Sequence, residues 1–236
     1  MKNKNLNSIT LLSALILLLP SLCKSHEVKE DIVETIIQKF IINNPDLIQS
    51  SLDDHKINLE KQKIKKAINA LKIIENPAIF HKDANITIYE FFDYNCGYCK
   101  SVLKVVLETL AEDKKINFVF VEYPILSKES YIASVAALAS KKQGLYNDFH
   151  SSLMSLKGRI SEKEIYNVAK KTGLNVEQLK VDMNDPKINK QLIRNSEIAK
   201  QLNLNGTPAF IIGDIIYPGA LDKNNLNIMI KNFRES

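Results

Sequence analysis

Two cysteines three residues apart, Cys96 and Cys99, are the residues of this chain best suited to chemistry. They enclose Gly97 and Tyr98, and a helical pattern begins at Gly97. Thiols with this spacing at a helix start can close a disulfide without unwinding the helix, and the first thiol lies where unpaired N–H groups and the helix dipole favour an anion. Because the thiolate attacks disulfides, Cys96 is predicted to be the nucleophile and Cys99 to resolve the mixed disulfide.

A zinc site is the usual alternative for such a pair, but it needs two further Cys or His ligands at suitable spacing. Four histidines are isolated from one another along the chain: His26, His55, His81 and His150. We interpret each as a surface or capping residue and predict no zinc site and no cofactor. A copper ion held by the two thiols alone remains an alternative.

The first 25 residues predict a cleavable secretory signal and therefore export to the periplasm. A positive start precedes an apolar run over residues 9–19 that is too short to span a bilayer comfortably. Cleavage after Ser25 would start the mature chain at His26. Lipidation of Cys23 is an alternative, although the preceding Leu22 is bulkier than a lipoprotein signal requires.

Removal of the signal changes both the charge and the cysteine count. Residues 1–25 contain three lysines and no acidic residue, so the net charge falls from +5 to +2. A charge this small, with both signs interspersed, gives no reason to expect a nucleic-acid partner. Only Cys96 and Cys99 remain after cleavage, so a structural disulfide framework is excluded.

Two helices are expected before the cysteines, over residues 27–43 and 45–75. The second carries a narrow apolar stripe with members seven apart and others between: Ile57, Ile64, Ala67, Leu71 and Ile74. Two interpretations stay open. The helix lies on its own domain, or residues 26–76 form an arm through which the protein becomes a homo-oligomer.

The rest of the chain predicts an α/β layered domain. Strands are expected over residues 78–80, 86–92 and 116–121, with a helix over 97–115. Residues 127–203 show no convincing strand and predict a helical insertion. The chain then returns to a hairpin, 210–212 and 215–217 around Gly213 and Asp214, and ends in a helix over 222–233.

Two segments carry a family resemblance. Residues 90–100 read Glu-Phe-Phe-Asp-Tyr-Asn-Cys-Gly-Tyr-Cys-Lys, and residues 206–210 read Gly-Thr-Pro-Ala-Phe. Together with the helical insertion between them, they closely resemble the DsbA-like branch of thioredoxin-fold proteins, and the added N-terminal helices resemble the ScsC-type members. The resemblance implies a thioredoxin-like domain over residues 77–236 and is much weaker over residues 27–76.

The resemblance also implies roles for single residues. Thr207 and Pro208 would form a cis peptide facing the active-site disulfide, with a backbone that binds client chains. Glu90 would be the partly buried acid beneath the second cysteine that helps to move its proton. Without the resemblance, Pro208 is an ordinary strand-initiating proline and Glu90 could point to either face of its strand. Gly97 and Tyr98 would contribute to the client-binding surface.

The implied function is an exported oxidoreductase that forms or rearranges disulfides in other exported proteins through a Cys96–Cys99 redox disulfide. Its partners would be unfolded or misoxidised exported proteins and a membrane or soluble redox partner that recycles the pair. Strongly oxidising relatives carry a histidine where this chain has Tyr98. We therefore expect a weaker oxidant than DsbA, whose redox potential is about −120 mV. Asp93 is interpreted as a turn-forming residue that shapes the site.

Three alternatives stay open. The first is an oligomeric isomerase or reductase of the ScsC type. The second is a non-catalytic chaperone in which the Cys96–Cys99 bond is structural, and the third is a copper-binding thiol protein.

Overall fold

The computed structural model describes residues 29–235. The predicted signal over residues 1–25 and the predicted mature start at His26 lie outside the described residues. Two helices come first, α1 (Glu30–Asn43) and α2 (Pro45–Ile73). Among residues 29–235, no helix is both long enough and apolar enough to cross a bilayer.

The remaining elements follow the predicted α/β order. The first group is β1 (Ala78–Ile79), β2 (Ile86–Phe92), α3 (Gly97–Glu112) and β3 (Ile116–Glu122). The helical insertion is α4 (Lys128–Ser140) with a 3-10 turn (Lys141–Gln143), α5 (Tyr146–Met154), α6 (Glu162–Lys171), α7 (Val176–Asp182) and α8 (Pro186–Gln201). The chain closes with β4 (Ala209–Ile212), β5 (Ile215–Pro218) and α9 (Lys223–Glu235).

Local signals in the sequence set the breaks of the insertion. Gly144, Gly158 and Gly173 have φ values of 71°, 74° and 85°, a backbone region that glycine adopts without a Cβ clash. Ser161 caps α6 in a reciprocal capping box with Glu164. The helical insertion predicted over residues 127–203 is therefore present as five short helices.

The five strands form one mixed sheet in the order β1-β3-β2-β4-β5. The central strands β2 and β3 are parallel, and β1, β4 and β5 each run antiparallel to their neighbours. Glu90 pairs with Phe120 and Phe92 pairs with Glu122, so these four side chains share one face of the sheet. Helix α3 begins just beyond the end of β2, which places Cys96 at the carboxyl edge of the central strands.

Two apolar layers cover the sheet. One face packs against α3, α9 and most of the helical insertion, with Phe92, Phe120 and Val106 among its buried residues. The other face packs against α8 and the second half of α2, where Ile64 and Leu71 are buried.

The packing divides α2 at a point that its sequence pattern does not mark. The compact unit that contains the sheet begins at His55, whereas the predicted domain began at residue 77. Ile64, Ala67 and Leu71 are buried against the sheet of their own domain, which favours the first of the two interpretations, a helix that lies on its own domain. Ile57, in the same heptad pattern, is 54% exposed.

Helix α1 has no buried residue, although half of it is apolar. Its exposed apolar side chains are Ile32, Val33, Ile36, Ile37, Phe40, Ile41 and Ile42. The apolar face of α1 is therefore exposed within the described residues.

Candidate active site

Cys96 and Cys99 lie together at the N-terminus of α3. Cys96 is the N-cap residue, and its Sγ accepts a hydrogen bond of 3.3 Å from the backbone N–H of Cys99. Both side chains are buried, Cys99 completely. Both are free thiols in this structure. The Cys96 sulfur therefore lies where the helix presents unpaired N–H donors to an anion.

The pKa values of the two thiols shift in opposite directions. The pKa of Cys96 is lowered from 9.0 to about 6, mainly because the Cys99 thiol donates a hydrogen bond to it, with backbone N–H groups adding to the effect against burial. The pKa of Cys99 is raised far above its ordinary value by burial first and then by that same hydrogen bond. At neutral pH the pair therefore holds a thiolate at Cys96 and a thiol at Cys99.

The loop before β4 forms the opposite wall of the site. The Thr207–Pro208 peptide bond is cis. In its thiol form, Cys96 donates a 3.1 Å hydrogen bond to the backbone carbonyl of Thr207. A cavity of about 410 Å³ opens beside this loop, lined by residues 203–209 with Pro218 and Gly219. The Thr207 carbonyl therefore lies beside the Cys96 sulfur, and the cavity adjoins the same loop.

Glu90 lies on β2 beneath the cysteines, 3% exposed. Within residues 29–235, its Oε1 has no hydrogen-bond partner. Burial raises the pKa of Glu90 to about 8, and the charge of Cys96 adds to the shift. Glu90 in turn contributes to the raised pKa of Cys99. The structure thus brings Glu90 within electrostatic reach of both cysteines, on the inner face of the sheet.

Gly97 and Tyr98 lie on the outer side of the pair. A Cβ atom placed on Gly97 would meet no atom within 4 Å, so the surface is open there. The Tyr98 side chain is 72% exposed. Both predicted client-contacting residues are therefore at the surface beside Cys96.

A model of the family described as "DSBA-like thioredoxin domain" matches residues 87–231, which is more than half of the chain. The chain belongs to this DsbA-like thioredoxin-domain family. The thioredoxin-like α/β fold and the resemblance stated from the sequence are confirmed.

Solved and curated relatives agree with this assignment. A thioredoxin-like oxidoreductase from Silicibacter pomeroyi is 34% identical, with 68% of this chain and 93% of that chain covered and a TM-score of 0.66. A linker-deletion variant of Proteus mirabilis ScsC is 26% identical, with 91% and 99% covered and a TM-score of 0.69. A probable disulfide bond formation protein D from Bacillus anthracis is 27% identical over 58% of this chain and 69% of its own.

The chain also matches a Na(+)/H(+) antiporter of Salinispora arenicola and spans 23% of that protein's length. Among the relatives named as redox proteins, the enzyme class is the thiol–disulfide oxidoreductase that the sequence predicted for this chain.

The sequence did not predict the buried carboxyl group of Glu122 in this DsbA-like domain. Glu122, at the end of β3, accepts hydrogen bonds from Tyr94 (3.0 Å), Tyr146 (2.8 Å) and Ser134 (2.7 Å). Burial raises its pKa to about 8, and the three hydroxyl donors oppose that shift. One feature of the sequence could have indicated this burial. Glu122 is two residues after Phe120, and alternate residues of a strand point to the same face of the sheet.

His150 is part of the same cluster, so its interpretation as a surface or capping residue is wrong. It is buried, and burial lowers its pKa to about 3. Because the Tyr94 hydroxyl donates to Glu122, Nδ1 of the neutral His150 ring donates to that hydroxyl, 3.0 Å away. The rings of Phe92, Phe120 and Tyr146 surround it. The cluster thereby fixes Tyr94, two residues before Cys96.

Asp93 forms the predicted turn and also binds the loop after β3. Its Oδ1 accepts from the backbone N–H of Asn95 (2.7 Å), as in an Asx-turn. Its Oδ2 accepts from the N–H groups of Ile125 (2.8 Å) and Leu126 (2.9 Å). The carboxylate therefore ties the active-site turn to the loop after β3.

Proposed function

We propose that this chain is an exported thiol–disulfide oxidoreductase that forms or rearranges disulfides in other exported proteins. The observation that carries the proposal is the asymmetry of the pair: Cys96 is poised as a thiolate and Cys99, one turn inward, as a thiol. A nucleophile with a buried resolving thiol beside it suits an exchange reaction better than a structural disulfide.

In the oxidising direction, a client thiolate attacks Sγ of Cys96 in the Cys96–Cys99 disulfide. Cys99 leaves as a thiolate and takes a proton, and we assign Glu90 as the group that supplies it. A second client thiolate then attacks the client sulfur of the mixed disulfide, so that Cys96 leaves as a thiolate. The client gains one disulfide, and the protein keeps two electrons until a redox partner accepts them.

In the rearranging direction, the Cys96 thiolate attacks a wrong disulfide in a client and releases one client thiolate. That thiolate attacks another client disulfide, and the thiolate released there attacks the client sulfur bound to Cys96, so that Cys96 leaves as a thiolate. Alternatively, Cys99 gives its proton to Glu90 and attacks Sγ of Cys96, which forms the Cys96–Cys99 disulfide and releases the second client thiolate. Glu90 suits both directions, because its pKa of about 8 lets it hold or accept a proton near neutral pH.

The pKa of Cys96 supports a moderate oxidant. At about 6 it lies between the value of about 8.5 for a free cysteine and the value of about 3.5 for DsbA. A more stable thiolate makes the reduced state more stable and the disulfide more oxidising. We therefore expect a redox potential below about −120 mV, in keeping with Tyr98 in place of a histidine.

We assign the client-binding surface to the loop at Thr207 and Pro208 together with Gly97 and Tyr98. Two observations support the assignment: the Thr207 carbonyl lies 3.1 Å from the Cys96 sulfur, and a cavity of about 410 Å³ adjoins the same loop. The clients would be unfolded or misoxidised proteins of the periplasm, reached after removal of the predicted signal.

Self-association through α1 would favour rearrangement over simple oxidation. The exposed apolar face of α1 fits a second copy of this chain, because each copy would cover the same face of the other. Several catalytic domains could then act on one client. This is the isomerase form of the proposal, and it rests on the exposure of α1 alone.

The test is refolding of a disulfide-scrambled protein and oxidation of a reduced one, with wild type, Cys96→Ala and Cys99→Ala. The proposal expects no activity with Cys96→Ala and accumulation of a client mixed disulfide with Cys99→Ala. Wild type that binds client without exchanging disulfides would point to a chaperone. Stoichiometric copper with no exchange would point to a metal carrier. Either result would contradict the proposal.

A further inference from the structure

Asn95, the residue before Cys96, uses its whole side chain in hydrogen bonds to the helical insertion. Its Nδ2 group donates to the hydroxyls of Ser127 (3.0 Å) and Ser130 (3.2 Å), at the start of α4. Its Oδ1 accepts from the backbone N–H of Ile160 (2.7 Å), just before α6. One side chain thus joins the active-site turn to the beginnings of two helices.

The residue after the pair attaches to the same part of the insertion. Lys100 follows Cys99, and its Nζ donates to the backbone carbonyls of Leu156 (2.8 Å) and Gly158 (2.6 Å). Residues 156–160 therefore form hydrogen bonds with the residue before the Cys96–Cys99 pair and with the residue after it. The connection between α5 and α6 acts as a common support for both ends of the motif.

The position of Asn95 bears directly on the nucleophilic sulfur. The Cys96 N–H donates to the Asp93 carbonyl (3.0 Å), and the Asn95 N–H to the Asp93 side chain (2.7 Å), so Asn95 is fixed on both its backbone and its side chain. Cys96 Sγ lies 3.3 Å from the Cys99 nitrogen, an ordinary length for an N–H donor and a sulfur acceptor. A displacement of the turn would lengthen this hydrogen bond and weaken it.

We propose that Asn95 is a positioning residue through which the helical insertion sets the redox equilibrium of the Cys96–Cys99 pair. The inference rests on the proposed thiol–disulfide exchange and adds to it a residue that touches neither sulfur. By holding Cys96 against the N-terminus of α3, Asn95 stabilises the reduced state, in which Sγ is charged, more than the disulfide state, in which it is not.

The redox equilibrium separates this role from ordinary structural support. Two glutathione thiols reduce the Cys96–Cys99 disulfide, and the products are the dithiol protein and one glutathione disulfide. A residue that only supports the fold destabilises the oxidised and reduced proteins equally, so that the equilibrium constant does not change. A residue that positions the thiolate stabilises the reduced protein selectively, so that its removal lowers the constant.

The experiment measures that constant for wild type, Asn95→Ala and Ser130→Ala, together with the Cys96 thiolate absorbance against pH. Asn95→Ala is expected to lower the constant about 3- to 10-fold, the usual worth of a hydrogen bond, and to raise the thiolate midpoint. Ser130→Ala removes an acceptor of Asn95 on α4, remote in sequence, and is expected to shift both readings the same way by less.

Asn175→Ala is the matched control. Asn175 is the N-cap of α7 in the same insertion, and its side chain accepts from the Gln178 N–H, so its loss weakens the insertion without touching the turn. The constant should stay within twofold of wild type there. Equal shifts in Asn175→Ala and Asn95→Ala, or no shift in Asn95→Ala, would overturn the inference.

Two further outcomes keep the inference apart from the proposed function. If Asn95→Ala does not fold, Ser130→Ala decides, because an unchanged constant there would overturn the inference. If wild type itself does not exchange with glutathione, the proposed function fails first. If wild type exchanges and the variants match it, only the role of Asn95 is lost.

Discussion

Helix α1 and the domain that begins at His55 differ in the burial of their apolar side chains. In the domain, both faces of the sheet and the facing sides of the helices are covered, and the polar groups among them are few. In α1, no side chain is buried and seven apolar ones are exposed. The difference indicates that the domain folds by its own packing, whereas α1 leaves an apolar face exposed, which we propose a second copy of the chain covers.

The same contrast separates the two proposed tasks of the protein. Exchange chemistry needs burial, because the shifted pKa values of Cys99 and Glu90 come first from loss of contact with water. Association needs exposure. The sequence joins both in one chain, and the boundary between them lies within helix α2.

Two isoleucines of the same heptad pattern test whether α2 is divided between a buried part and an exposed part. Ile64 is 5% exposed and Ile57 is 54% exposed. Ile64→Ala should lower the free energy of unfolding by about 2–5 kcal/mol, since it leaves a cavity under the sheet. Ile57→Ala should change it by about 0.5 kcal/mol or less. Denaturant unfolding at one protein concentration measures both, and equal costs would contradict the division of α2.

Glu90→Gln tests whether burial of a carboxyl group serves the chemistry. Gln cannot take the proton of Cys99, so resolution of the mixed disulfide should slow by about 100-fold, and its pH dependence near pH 8 should disappear. Quenched mixing of the reduced protein with a model disulfide, followed by mass spectrometry, gives the rate. Glu108→Gln, on the exposed side of α3, is the control. A rate unchanged in Glu90→Gln would make Glu90 a buried acid without a catalytic role.

A charge on the apolar face of α1 tests the other side of the comparison. Ile36 is 61% exposed. Ile36→Asp should lower the mass in solution to that of one chain, because an unpaired carboxylate would be buried wherever a second copy covers this face. Gln38→Asp, a polar position of the same helix, should leave the mass unchanged. A monomeric wild type in sedimentation would contradict self-association through α1.

The smallest expected effect is that of removing the arm on the chemistry. Without residues 29–54, the mature protein should keep the thiolate midpoint of Cys96 to within about 0.3 of a pH unit, because every group that shifts this pKa belongs to the domain from His55 onward. Absorbance of the thiolate against pH measures it. A larger change would mean that the two regions are not separate in function.

The sequence predicted the elements whose signals are local. Strand β2 begins and ends where its β-branched and aromatic residues do, and the hairpin forms at Gly213 and Asp214. Cys96 and Cys99 lie at a helix start because the pattern changes from strand to helix there. Period and turn chemistry act within a few residues and can be read without knowing the fold.

The sequence could not decide which residues a side chain contacts in the folded protein. The heptad stripe of α2 does not say that Ile64 meets its own sheet and Ile57 does not. His150 is polar, and only the fold places it among aromatic rings beside Tyr94. The Glu122 cluster joins β3, α4 and α5, and such contacts arise from tertiary packing, which overrides local preference. The role of Glu90 stays a prediction until its variant is measured.

We expect the sulfur of Cys96 to be charged near neutral pH and that of Cys99 to be protonated. The rate of alkylation of each cysteine in the reduced protein between pH 4 and pH 10, followed by peptide mass, measures this difference. Modification of Cys96 should rise with a midpoint near pH 6, and Cys99 should stay unmodified. A midpoint for Cys96 at or above about 8.5, the value of a free cysteine, would contradict this expectation.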